Sequence, residues 1–199
     1  RSITDTAEVV WQDYLALCKP KVISLIVFTA VVGMFLATPN MVPWKPLIFG
    51  TIGIGLAAAS AATINHIIDH RIDSIMARTM RRPLPEGKIS VMNAAIFAWF
   101  LGTISMGVLA FLVNPLTAGL TALSLIGYAF IYSMFLKRAT PQNIVIGGAA
   151  GAAPPVLGWT AVTGALDANS LLLFLIISIC FLKTSILIFV DGYFFSLNR

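Results

Sequence analysis

The sequence predicts an all-α protein, a bundle of about six membrane-spanning helices, and three observations carry that prediction. Of 199 residues, 58% are hydrophobic and only 11% are charged, against roughly 25% charged in a soluble domain. Mean hydropathy is +0.92. The apolar residues gather into runs of about 16 to 23, close to the length a helix needs at 1.5 Å per residue to cross roughly 30 Å of hydrocarbon. No linker or second soluble domain is visible, so residues 1–199 read as a single transmembrane domain. A net charge of +5 would point to nucleic acid in a soluble chain. In a multispanning one it reports orientation, and no nucleic-acid partner is expected. Cys18 and Cys180 show neither disulfide nor metal spacing and read as inert thiols.

Residues 1–21 are expected to form an interfacial helix, with Val9, Val10, Trp11, Tyr14, Leu15 and Leu17 set among Asp5, Glu8 and Asp13. Lys19-Pro20-Lys21 ends it, and a first span follows over about 22–37. The turn 38–46 holds three prolines and the interfacial aromatic Trp44. A second span over about 47–64 is rich in Gly and Ala; small residues let backbones approach closely, so this helix belongs at the bundle centre. A third span covers about 91–113, Asn114-Pro115 makes a tight turn, and a fourth covers about 116–136. A fifth, about 142–162, carries Gly147 to Pro155, where the proline pair should break or kink the helix. The sixth covers about 170–190.

Eleven of the thirteen Lys and Arg then fall on one side of the membrane, and only Lys45 on the other. The positive-inside bias makes the first side cytoplasmic. On that side the second span runs into Asn65-His66-Ile67-Ile68-Asp69-His70-Arg71-Ile72-Asp73. At about 100° per helical residue, positions i, i+4 and i+8 drift only some 80° around the axis, so Asn65, Asp69 and Asp73 share one face. Carboxylates at the edge of hydrocarbon cost a few kcal/mol each, roughly, and mark a cation, substrate or proton site. Mg²⁺ suits this ladder, because it is usually bound through one or two carboxylates plus substrate phosphates.

Beyond the ladder come Arg78, Arg81, Arg82 and Lys88. A loop with acids at one end and guanidinium groups at the other can hold a metal diphosphate from two sides; equally, its cations serve as positive-inside anchors. Lys137 and Arg138 should reach the same surface from the next cytoplasmic loop. Tyr128 and Tyr132, one turn apart, either line a pocket or anchor an aromatic belt. His66 and His70 are i, i+4 partners that could ligate a metal or haem iron, or simply be a hydrogen-bonded pair.

The ladder closing a membrane helix, followed by Met76-Ala77-Arg78-Thr79 and Arg82-Pro83-Leu84, resembles the first aspartate-rich motif of the UbiA-type intramembrane prenyltransferases. A finer similarity, to the haem O synthases (protohaem IX farnesyltransferases) of that family, lies in three segments. They are Lys19-Pro20-Lys21-Val22, Leu136-Lys137-Arg138-x-Thr140-Pro141-Gln142-Asn143-Ile144-Val145-Ile146-Gly147-Gly148, and Gly151-Ala152-Ala153-Pro154-Pro155-x-x-Gly158-Trp159.

The resemblance implies transfer of the farnesyl group of farnesyl diphosphate to a vinyl group of haem B, with water added, giving haem O and diphosphate. It implies Mg²⁺, a lipid bilayer (the bacterial inner membrane, with active-site loops in the cytoplasm) and haem-processing membrane partners. By position it implies that Asn65, Asp69 and Asp73 hold metal and diphosphate, with Asp69 and Asp73 catalytic and Arg78 and Arg82 assisting.

Two departures shape the expectation. The family has about nine spans and a second aspartate-rich motif after the sixth, whereas past about residue 179 this chain reads Cys180-Phe181-Leu182-Lys183-Thr184-Ser185-Ile186, with Asp191 lacking a carboxylate at i+4. Residues 180–199 are therefore expected to be a non-native tail, and the polypeptide to hold half a site and be inactive. Two other readings remain open at this point, a related prenyltransferase with a quinone-type or chlorophyll-type acceptor, and a cation or proton transporter. A transporter places its acids near the bilayer midplane among broken helices; acids at a helix end beside an arginine loop suit diphosphate better.

Overall fold

A computed structural model of the protein describes residues 3–129 and 151–197, which form helices joined by turns and loops, with no strand among the described residues. The helices are α1 (Ile3–Cys18), α2 (Pro20–Leu36), α3 (Thr51–Asp73), α4 (Val91–Val108), α5 (Pro115–Ile126), α6 (Ala153–Thr163) and α7 (Ala168–Leu197). A wide π-type turn extends α3 backwards over Pro46–Gly50, and another extends α4 forwards over Leu109–Val113. With these turns, Pro46–Asp73 and Val91–Val113 are long and apolar enough to cross a membrane. Trp11–Cys18 and Pro20–Leu36, bent by 48° at Lys19, make a third if counted together. Pro115–Ala129 and Ala168–Cys180 are shorter apolar helices. The expected fourth and fifth spans lie partly outside the described residues.

Local chemistry sets the ends. Pro20 and Pro115 open α2 and α5, where a missing N–H removes no intrahelical bond. Ser90 caps α4 by accepting from Asn93 N–H at 3.1 Å, and Asn114 caps α5 by accepting from Thr117 N–H at 2.7 Å. At the proline pair, Ala152 is a turn residue and Pro154 and Pro155 occupy the first turn of α6; the part of the expected fifth span before residue 151 lies outside the described residues. Their place there reflects the same tolerance of proline at a helix start. Gly164 ends α6 at φ 68°, a left-handed conformation glycine adopts without Cβ cost, with its N–H on Thr160 O at 2.9 Å.

α3 is central, packing on α1, α2, α4 and α5. Hydroxyls tie it to α4: Ser60 Oγ donates to Ala98 O at 2.8 Å and Ser105 Oγ to Gly53 O at 2.7 Å. In an apolar setting such interhelical bonds contribute about 0.6 kcal/mol each. α2 and α6 meet backbone to backbone, because Gly33 faces the Pro155 carbonyl and Gly158 faces the Ala30 carbonyl with no room for a side chain. Around that crossing Ala30, Met34, Ile54, Leu109, Leu157 and Ala161 form the main core. A second cluster, Leu17, Leu84, Ile89 and Ala94 with Tyr14 and Ile67, fastens α1 and the loop 74–90 beside the C-terminal end of α3. Tyr14 and Phe97 pack there as a tilted pair with ring centroids 4.9 Å apart. This second cluster positions the polar site.

Candidate diphosphate site

α3 continues without interruption to Asp73, so the ladder is helical over its whole length. Asn65, Asp69 and Asp73 are all buried, at 7, 4 and 5% exposure. A solvated charge run on a helix end would leave such groups in water; here the protein covers all three. The cover comes partly from the loop after α3. Thr79, itself buried, donates its hydroxyl to Asp73 O at 3.1 Å and folds the chain back. Arg82 Nη1 then reaches Asp73 Oδ2 at 2.5 Å. Leu84 and Ile89 anchor the far half of the loop in the second cluster.

Of the predicted assisting groups, Arg82 is thus brought to the ladder, whereas Arg78 is exposed on the same loop. Tyr128 is half-buried just past α5. Tyr132, Lys137 and Arg138 lie outside the described residues. No three His, Cys, Asp or Glu side chains converge on a metal position among the described residues. An all-protein metal cage is therefore not what the ladder offers. Two carboxylates and an amide oxygen on one buried face fit a hard cation that takes its remaining ligands from phosphate and water.

Two residues outside the ladder enter the site: His66, already noted as an i, i+4 partner of His70, and Lys19. His66 is 3% exposed, and neither ring nitrogen has a hydrogen-bond partner. Asp69, Asp73, Arg82 and Lys19 all lie near enough to act on it electrostatically. Lys19 arrives from the α1–α2 junction, where it has φ 52° and ψ 65°, the only positive φ at a non-glycine among the described residues. A left-handed lysine costs roughly 1–2 kcal/mol. Pro20 disfavours the right-handed helical conformation at the preceding residue, and the 48° bend lodges there. The sequence signal for Lys19 was that same Lys-Pro step. Close by, Cys18 lies beside Thr63 of α3.

An apolar cavity of about 590 Å³ lies between α3, α4 and α5, lined by Ile64, Ile67, Trp99, Met106 and Leu125 among others. None of the three ladder residues lines it. At about 100° per residue, Ile64 and Ile67 project from the side of α3 away from Asn65 and Asp69. The polar site and this apolar cavity therefore sit on opposite faces of one helix.

Comparison with known proteins gives this arrangement a context. Over 167 residues the chain is 64% identical to a protoheme IX farnesyltransferase of Alkalilimnicola ehrlichii and 64% identical to one of Nitrosococcus oceani. Each match covers 84% of this chain but only 55 and 56% of the relative, so the chain spans about half the length of the curated relatives it matches. Among solved structures, digeranylgeranylglyceryl phosphate synthase superposes with a TM-score of 0.76 at 20% identity, covering 86% of this chain and 59% of that one. A UbiA homologue from Archaeoglobus fulgidus bound to DMAPP and Mg²⁺ gives 0.68 at 21%, covering 87 and 62%. These two likenesses establish the fold, an all-α membrane bundle. The family profile covers residues 26–191, the ladder and its arginine loop included, and by that match the chain belongs to the UbiA prenyltransferase family.

Proposed function

We propose that this chain supplies the diphosphate-binding half of a prenyltransferase that joins the farnesyl group of farnesyl diphosphate to a vinyl group of haem B, with water added, to give haem O and diphosphate. The observation that carries the reading is the burial of Asn65, Asp69 and Asp73 on one face of α3 with Arg82 already on Asp73. The names of the relatives at 64% identity support the choice of prenyl donor and acceptor.

In this reading Asn65, Asp69 and Asp73 hold Mg²⁺ and through it the diphosphate. Mg²⁺, when bound, neutralises charge that builds on the leaving diphosphate. Arg82 works toward the same end from the loop, since its guanidinium can pair bidentately with phosphate oxygens. Preorganised charge of this kind acts where the C–O bond of the allylic diphosphate breaks, so its contribution is mostly electrostatic. Water has to be kept from the allylic cation until the vinyl carbon attacks, which calls for an apolar enclosure beside the ladder. The eleven-to-one distribution of cations supports placing the loop 74–90 in the cytoplasm, with the bacterial inner membrane as the bilayer.

The test is haem O formation from labelled farnesyl diphosphate and haem B in membranes carrying the full-length polypeptide. Asp69→Asn is expected to lower the rate by about 10²-fold or more, the scale for losing one transition-state electrostatic partner. Unchanged turnover in that variant rules the reading out.

A further inference from the structure

The geometry points to His66 as a direct ligand of the substrate diphosphate: its imidazole N–H donates to a phosphate oxygen held between the acidic ladder and Arg82. The inference rests on the prenyltransferase reading and names a contact within the same site.

Three observations converge on it. His66 is 97% buried, yet both ring nitrogens lack a partner, and a buried polar group left unmatched costs roughly 1–3 kcal/mol. An apolar residue of similar volume would avoid that cost, so a merely structural role leaves the imidazole unexplained. Its direction is the second. On a helix at about 100° per residue, position 66 projects within about 20° of position 73, so the ring leans over the acidic face and away from Ile64 and Ile67. The third is its surroundings, with the two cations Lys19 and Arg82 and the two acids Asp69 and Asp73 placed around it. Metal bound by the acids would turn that side positive, and a polyanion lying between metal, Arg82 and Lys19 would present its oxygens to the ring. In either protonation state histidine carries at least one N–H to donate.

Binding of Mg²⁺ with inorganic diphosphate to the full-length protein in nanodiscs tests this. His66→Leu is expected to weaken binding by roughly 10- to 100-fold, the scale of one charge-assisted hydrogen bond. His66→Asn, which keeps a side-chain N–H, should stay within about threefold of the wild type. Because the leucine variant could fail to fold, a second readout uses the wild type with ¹⁵N-labelled histidine, where adding Mg²⁺ and diphosphate should shift the His66 ring nitrogen signal. Diphosphate binding unchanged in His66→Leu, or an unmoved ring signal under saturating diphosphate, overturns the inference. So does a haem Soret shift that depends on His66 while diphosphate binding does not. If Asp69→Asn loses diphosphate and His66→Leu retains it, only this inference falls. If the wild type itself binds no diphosphate, this inference and the prenyltransferase reading fall together.

Discussion

Arg82 Nη1 sits 2.5 Å from Asp73 Oδ2, joining the loop after α3 to the last rung of a buried acidic ladder. Asp73 keeps 7% of its side-chain surface exposed and Arg82 keeps 31%. One partner is thus committed to the interior while the other still touches solvent. For the diphosphate proposed above, a guanidinium is already in place beside the ladder.

That asymmetry sets the expected cost of breaking the pair. Removing one partner of a fully buried ion pair costs about 3–5 kcal/mol; solvent at Arg82 screens the interaction, and Arg82→Met should destabilise by about 1–2 kcal/mol. A double-mutant cycle with Asp73→Asn, read by thermal unfolding in nanodiscs, should give a coupling of about 1 kcal/mol. Strict additivity of the two variants would show that the pair contributes nothing.

The α2–α6 crossing should tolerate no side chain. A Cβ at Gly158 falls on the Ala30 carbonyl and one at Gly33 on the Pro155 carbonyl. Backbone cannot move aside as a side-chain tip can, so Gly158→Ala is expected to cost about 1–3 kcal/mol or to block folding. At Gly107 nothing lies within 4 Å of the added atom. There the same change removes chain entropy from the unfolded state and should stabilise by about 0.4–1 kcal/mol. Melting curves moving in opposite directions check the pair together.

Asn114 does two things at once. Its Oδ1 accepts from Thr117 N–H at 2.7 Å as the cap of α5, and its Nδ2 donates to Thr160 O on α6 at 2.9 Å. Asn114→Ala should cost about 1–2 kcal/mol. Asn114→Asp keeps the cap and loses the donor to α6, so its melting temperature should fall between those of the alanine variant and the wild type.

In the turn between α6 and α7, the Ser170 backbone N–H donates to Asp167 Oδ1 at 2.9 Å and holds that carboxyl below its ordinary value of 3.8. A carboxyl whose folded value is depressed adds stability above its unfolded value, and that contribution disappears as pH falls through the folded value. Asp167→Asn should therefore flatten the acid limb of melting temperature against pH, below about pH 4, and leave the neutral region little changed. An identical acid limb in the variant would dismiss this carboxyl as a contributor.

Much of the molecule follows from local pattern. Apolar runs between Pro, Gly and Asn punctuation determine helices, because in hydrocarbon a chain must satisfy its backbone bonds within each helix. Asn65, Asp69 and Asp73 share a face by helical period alone, and Pro20, Ser90 and Asn114 open their helices through chemistry within a few residues. What lay beyond that pattern depends on distances between segments. Three cations of the loop, Arg78, Arg81 and Arg82, are equivalent as letters, and only the fold of 74–90 over Leu84 and Ile89 delivers Arg82 to Asp73 while Arg78 stays exposed. The approach of Lys19 to His66 required the bend at a left-handed residue and the docking of α1 against α3. The apolar cavity on the far face of α3 likewise exists only once α4 and α5 pack there. Helical period orders side chains along one axis, whereas which ones meet across axes is decided by how whole helices and loops bury their apolar surface.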